Sequence, residues 1–150
     1  MPNRILKETI CTSGEIDSLS TGAENFFYRI IVQCDDFGRM DARLPIIRAK
    51  CYPLKISKVT ENDIKKWLNE IISVNLVRLY AVDDKPYLEI VTWDKHQQKR
   101  AKRSKYPSPD DDDGHMQSSD ITCNQSQSYV PVFENREYEN RETRIRQKNT

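Results

Sequence analysis

Apolar positions in the first hundred residues repeat with two periods, and the change from one to the other divides the chain into elements. Ala23, Phe26, Phe27, Ile30, Ile31 and Cys34 fall at i, i+3, i+4, i+7, i+8 and i+11, which is one face of a helix over about Thr21–Asp35. Thr21 and Glu24 have the spacing of a capping box at its start, and Gly38 supplies a stop. Arg39-Met40-Asp41 reads as a short extended stretch. A second helix is predicted over about Leu44–Cys51, with Pro45 in its first turn, Ile46, Ile47 and Cys51 facing inward, and Pro53 preventing continuation. The third helix opens on a Thr60/Asp63 capping box. It carries Ile64, Trp67, Leu68, Ile71 and Ile72 on one face and ends near Val74-Asn75, where Asn75 can take a left-handed conformation. Two β-rich runs follow, Leu76–Val82 and Tyr87–Trp93, with turn chemistry in Asp83-Asp84-Lys85-Pro86 between them.

Helix, short strand, helix, helix, hairpin is the order of a winged helix. The expected fold class is therefore α+β: a three-helix bundle with a C-terminal β-hairpin wing, spanning residues 1–106. Residues 107–150 have a different composition, dominated by Asp, Glu, Asn, Gln, Ser and Arg. Such a segment buries too little apolar surface to offset about 1–2 kcal/mol of backbone entropy per residue, so a disordered polar tail is expected. Residues 132–148 could form a transient helix there, without an apolar stripe to hold it.

The net charge of +1 conceals a split. Residues 1–106 carry 19 Lys/Arg against 14 Asp/Glu, and residues 107–150 carry 5 against 9. A basic body suits a nucleic-acid binder. The densest signal follows the hairpin, where Lys95, Lys99, Arg100, Lys102, Arg103 and Lys105 lie in one stretch free of acids. A cation beside a phosphate releases condensed counterion, and a flexible basic arm can follow the backbone or enter a minor groove. A solvated linker is the plainer reading of the same run. The polar face of the third helix offers Asn62, Lys65, Lys66 and Asn69, preceded by Lys58. Asn matches adenine bidentately, and Lys suits guanine or phosphate. Glu61, Asp63 and Glu70 would repel phosphate if they faced the same way. Arg78 and Lys85 on the hairpin complete the DNA-facing candidates. The rival assignment of this surface is protein contact, with Tyr52, Tyr80 and Tyr87 as exposed candidates. The Asp110–Asp113 run could compete with phosphate for the basic stretch.

Cys11, Cys34, Cys51 and Cys123, with His96 and His115, show no metal-ligand spacing, and reduced thiols are expected. Asp36-Phe37-Gly38 spells a kinase metal-binding triplet without the phosphate and catalytic loops that give it meaning, and reads as a helix end. Asp84 and Glu89 resemble a nuclease acid pair, but Val91 stands where its Lys belongs. No catalytic constellation and no cofactor or metal site is expected. With no signal peptide or membrane span in view, the cytoplasm is the expected location.

In Asn3–Glu8, Phe27–Val32, Cys34–Asp41, Trp93–Gln97 and Arg100–Pro107 the chain resembles the N-terminal domain of phage replisome organiser proteins, relatives of DnaD-type primosomal proteins. The resemblance covers residues 3–107 in order. It implies a winged-helix domain that binds double-stranded DNA at or near an origin and helps bring in the host replicative helicase or its loader. Homo-oligomers are compatible with it, and no catalytic residues come with it. Longer relatives continue into a helical module that this chain's polar tail does not resemble. A protein-interaction adaptor and a winged-helix transcriptional regulator are the alternatives that the residues leave open.

Overall fold

The computed structural model describes residues 3–110. The tail expected beyond them, with its Asp run and its transient helix, lies outside the described residues apart from its first few positions. Along the chain run a 3₁₀ turn (Glu8–Thr12), α1 (Gly14–Asp17), α2 (Thr21–Gln33), β1 (Arg39–Asp41), α3 (Leu44–Cys51), α4 (Glu61–Ser73), β2 (Val77–Val82), β3 (Lys85–Ile90) and α5 (Trp93–His96). The described residues are thus mixed α+β, with five α-helices and one antiparallel sheet of order β1-β3-β2.

The apolar stripes read from the sequence meet in one core. Phe26 and Ile30 of α2, Ile47 of α3, and Ile64, Leu68 and Ile71 of α4 are all buried together with Met40, Val77 and Leu88 of the sheet. Phe26, Tyr52 and Trp67 form an aromatic cluster with ring centroids 5.7–6.3 Å apart. Tyr52 is buried there, so it is not the exposed surface residue expected, but part of the core. Helices α2 and α4 approach closely because Gly22 has no side chain: a Cβ there would lie 2.5 Å from Trp67 Nε1.

The helix ends follow from their caps. The Thr60 hydroxyl accepts from the Asp63 amide, and the Asp63 carboxylate accepts from the Thr60 amide, the expected capping box of α4. Asn75 ends the connection to β2 at φ 59°. The cap of α2 sits one residue before the expected position. Ser20, not Thr21, accepts from the Ala23 amide, while its own amide and hydroxyl donate to Glu70 of α4 at 3.0 Å each. This side-chain bridge between helices outcompetes the local Thr21/Glu24 pairing. Nor does Gly38 end α2: Cys34 leaves the helix in extended conformation, and Gly38 belongs to a separate turn at φ 76°.

The hairpin is tighter than expected. Asp83 and Asp84 both have positive φ, a two-residue turn whose twist matches the strands, so Lys85 and Pro86 already belong to β3. β3 is also the central strand, pairing Met40 with Leu88 on one side and Leu79 with Leu88 on the other. It stops at Ile90 rather than Trp93. Trp93 begins α5, is buried, and donates from Nε1 to the Asp36 carbonyl at 2.8 Å. The first twenty residues carry no periodic signal, yet residues 3–20 dock: Ser13 caps α1 and Ile16 is buried.

Candidate nucleic-acid interface

Residues along β2 and β3 alternate between the two faces of the sheet. Val77, Leu79, Leu88 and Ile90 turn to the helices. Arg78, Tyr80, Tyr87 and Glu89, with Arg39 of β1, share the outer face. On that face the Glu89 carboxylate accepts from Arg39 Nε at 2.9 Å and from Arg78 Nε at 2.6 Å. Two guanidiniums around one carboxylate leave the cluster with a net positive charge. They also occupy the group that the nuclease-like pairing of Asp84 and Glu89 would have required.

The basic stretch continues into a strap: the turn between α2 and β1 holds residues 101–105, and residues 106–108 cross this outer face. The Asp35 carboxylate accepts from the amides of Phe37 and Arg39 in its own turn, at 2.9 and 3.0 Å. Its second oxygen accepts from the Lys105 amide at 2.9 Å and the Ser104 hydroxyl at 2.5 Å. Asp36 accepts from the Ala101 amide at 2.9 Å and from Arg4 at 3.0 Å. Arg4 also donates to the Cys34 carbonyl at 2.7 Å and lies 5.0 Å above the Trp93 ring; its buried Nε has no partner among the described residues. The Arg4 hydrogen bond holds the Asp36 carboxyl below its ordinary value. Further on, Tyr106 packs on Tyr87 at 6.0 Å and accepts from Lys50 at 3.0 Å. Tyr80 donates to the Pro107 carbonyl at 2.8 Å, and Arg39 donates to Ser108 at 3.3 Å.

Two expectations change here. The stretch after the hairpin is not a free arm, because two carboxylates take its backbone and side-chain donors. Tyr80 is not an exposed residue, because the strap covers it; burial raises its hydroxyl well above the usual tyrosine value. Tyr87 is half-buried between Tyr80 and Tyr106.

The cationic groups of the strap point outward. Lys95, Lys99, Arg100, Lys102, Arg103 and Lys105 are all exposed. Lys99 bridges to the exposed Asp94 at 2.7 Å and lies over Phe37 at 4.9 Å. What Asp35 and Asp36 hold is the strap's frame, chiefly its amides, so the pinned backbone presents its charges to solvent.

On α4, Asn62, Lys66, Asn69 and Ser73 fall at i, i+4, i+7 and i+11 and are exposed, while Lys65 is half-buried. Two of the three acids that threatened this face are engaged elsewhere, Asp63 in the cap and Glu70 on Ser20. Glu61 remains exposed beside Asn62. Lys58 is exposed in the loop before α4, which Arg48 braces by donating to the carbonyls of Val59, at 2.7 Å, and Ile56. Arg78 is exposed but tied to Glu89, and Lys85 is exposed beside the two turn aspartates.

These candidates form separate groups. The Asp36 turn that anchors the strap is at the open end of the hairpin, where the Ile90 amide donates to the Gly38 carbonyl. Lys85 is at the other end, about 17 Å away for six residues of strand. Asp35, Asp36, Arg4, Tyr106 and Arg48 were not among the expected site residues. Asp35-Asp36 between the first helix and the extended stretch was the available signal, but acids beside a basic run read as repulsive until their geometry shows them accepting from amides.

Cys34 and Cys51 are buried free thiols and Cys11 is an exposed one. Burial pushes Cys51 up to about 12 and Cys34 well above the usual thiol value. Among the described residues no helix is long and apolar enough to cross a membrane. Comparison with known protein families, with curated proteins and with solved structures returned no match for this chain.

Proposed function

We propose that this chain is a non-catalytic, double-stranded DNA-binding protein of winged-helix architecture that acts in phage or prophage replication initiation. The observation that carries the DNA reading is the pinned strap: five exposed cations, Lys99, Arg100, Lys102, Arg103 and Lys105, on a stretch that Asp35 and Asp36 hold at Ala101, Ser104 and Lys105. A preordered cationic ridge meets phosphates without the entropy cost of ordering a free arm, and each phosphate neutralised releases counterion. The winged-helix assignment draws support from the order α2-β1-α3-α4-β2-β3 and from the sheet order β1-β3-β2, in which the last hairpin is the wing. In this reading α4 enters the major groove with Asn62, Lys66 and Asn69 at base edges and Lys58 and Lys65 beside them. Lys85 and Arg78 lie near the backbone, and the strap supplies most of the sequence-independent affinity. The replication role, with the host helicase or its loader as partner, rests on the replisome-organiser resemblance across residues 3–107.

The test is a salt titration of duplex binding by the full chain. For wild type, log K falls steeply with log salt. The variant Lys99→Ala/Arg100→Ala/Lys102→Ala/Arg103→Ala has a slope shallower by up to about 3.6, at roughly 0.9 for each phosphate no longer neutralised. A flat wild-type titration contradicts the reading.

A protein-interaction adaptor draws on one different observation. Leu54 is 97% exposed on the loop that Arg48 braces, with exposed Ile56 close by. A rigid apolar knob of this kind suits a protein partner, and binding indifferent to salt and to DNA would favour it.

A further inference from the structure

An apolar groove opens on the side of the body occupied by the N-terminal arm. It has a volume of about 300 Å³, with Phe27 and Ile31 of α2 and Ile90 and Trp93 along its floor. Ile5 and Leu6 stand at its rim, 41% and 60% exposed. The arm is fixed there by hydrogen bonds. The Ile5 amide donates to Gln97 Oε1 at 3.0 Å, Gln97 Nε2 donates back to the Ile5 carbonyl at 2.7 Å, and Lys7 Nζ donates to the Lys95 carbonyl at 2.6 Å. The groove is therefore a formed feature of the body: Phe27, Ile31, Ile90 and Trp93 are buried along its floor, and Ile5 and Leu6 are the apolar residues left open at its rim.

We infer that this groove is a peptide-binding site and that its occupant is the chain's own segment Tyr129-Val130-Pro131-Val132-Phe133. Forty residues follow Asp110, and this block is their densest apolar run, four apolar residues of five in an otherwise polar stretch. Eighteen residues lie between Asp110 and Tyr129. A linker of that length spans about 25 Å as a random chain and about 60 Å at full stretch. A body of this size has a radius of gyration of about 13 Å, so the tether reaches any part of its surface. Such a tether gives a local concentration in the millimolar range, so a contact as weak as roughly 0.1 mM keeps the groove about 90% filled without a second molecule. The chemistry recognised is that of a short extended aliphatic-aromatic peptide, and the inference stands apart from DNA binding.

Amide hydrogen exchange of the full chain, without DNA, tests it. The variants are Val132→Asp/Phe133→Asp in the segment and Leu6→Asp at the exposed rim, which leaves the buried core untouched. In both, the amides of residues 5–10 and 93–97 exchange about tenfold faster than in wild type, and wild type sediments as a monomer at every concentration. Exchange unchanged by the segment variant overturns the inference. A wild-type dimer that the segment variant dissolves also overturns it, since the occupant would then be the segment of a second copy.

Discussion

At Gly38 one residue carries two constraints at once. Its φ of 76° is strained for any side chain, and a Cβ built there would lie 2.7 Å from the Trp93 ring. Trp93 cannot retreat, since its Nε1 is bonded to the Asp36 carbonyl and Arg4 lies over its face. Gly38→Ala is therefore expected to destabilise the body by about 2–4 kcal/mol, combining a left-handed-region penalty with overpacking, as read from the denaturant midpoint at constant m-value. A loss under about 0.5 kcal/mol would mean that the turn gives way easily. Little of this is legible in the sequence. Gly38 reads as a helix stop because glycine after an amphipathic run usually is one. Its contact with Trp93 depends on a fold that returns fifty-five residues later. The same holds for Arg4, whose partners are set by tertiary structure alone.

The helices and strands are legible where their signals are local and strong. The range of α3, the capping box of α4 and the three residues of β1 follow from Pro45, Thr60/Asp63 and the turn residues around them. The departures fall where a distant partner wins. Ser20 displaces Thr21 because Glu70 lies across from it, and Trp93 leaves the strand because its ring is needed under the Asp36 turn. α1 and α5, four residues each, are too short for a period to show. The α4 cap gives a test at this scale. Thr60→Ala should cost about 1 kcal/mol at neutral pH. The hydrogen bonds from Thr60 hold the Asp63 carboxyl below its ordinary value. Its contribution is then complete above the ordinary carboxylate range and is lost as pH falls through the lowered native value. The gap between wild type and Thr60→Ala should accordingly narrow in acid; a gap that stays constant down to acid unfolding would assign the cap's energy to the hydroxyl alone.

Over the whole molecule, nothing in the residue pattern signals that the most basic stretch is also a structural element. Composition locates the cations, but not the two aspartates that orient them by accepting from amides, nor the tyrosines that the strap covers. The strap joins the Asp36 turn, the outer face of the sheet and the end of α3, so its exposed cations are held in place by the fold. Hydrogen exchange of the full chain with and without duplex DNA is the decisive experiment. A binding face made of α4 and the strap requires slower exchange in residues 60–69 and 98–106 when DNA is added in low salt, reversed by high salt. DNA that binds while leaving both stretches unchanged, or that protects only the loop around Leu54, would refute it.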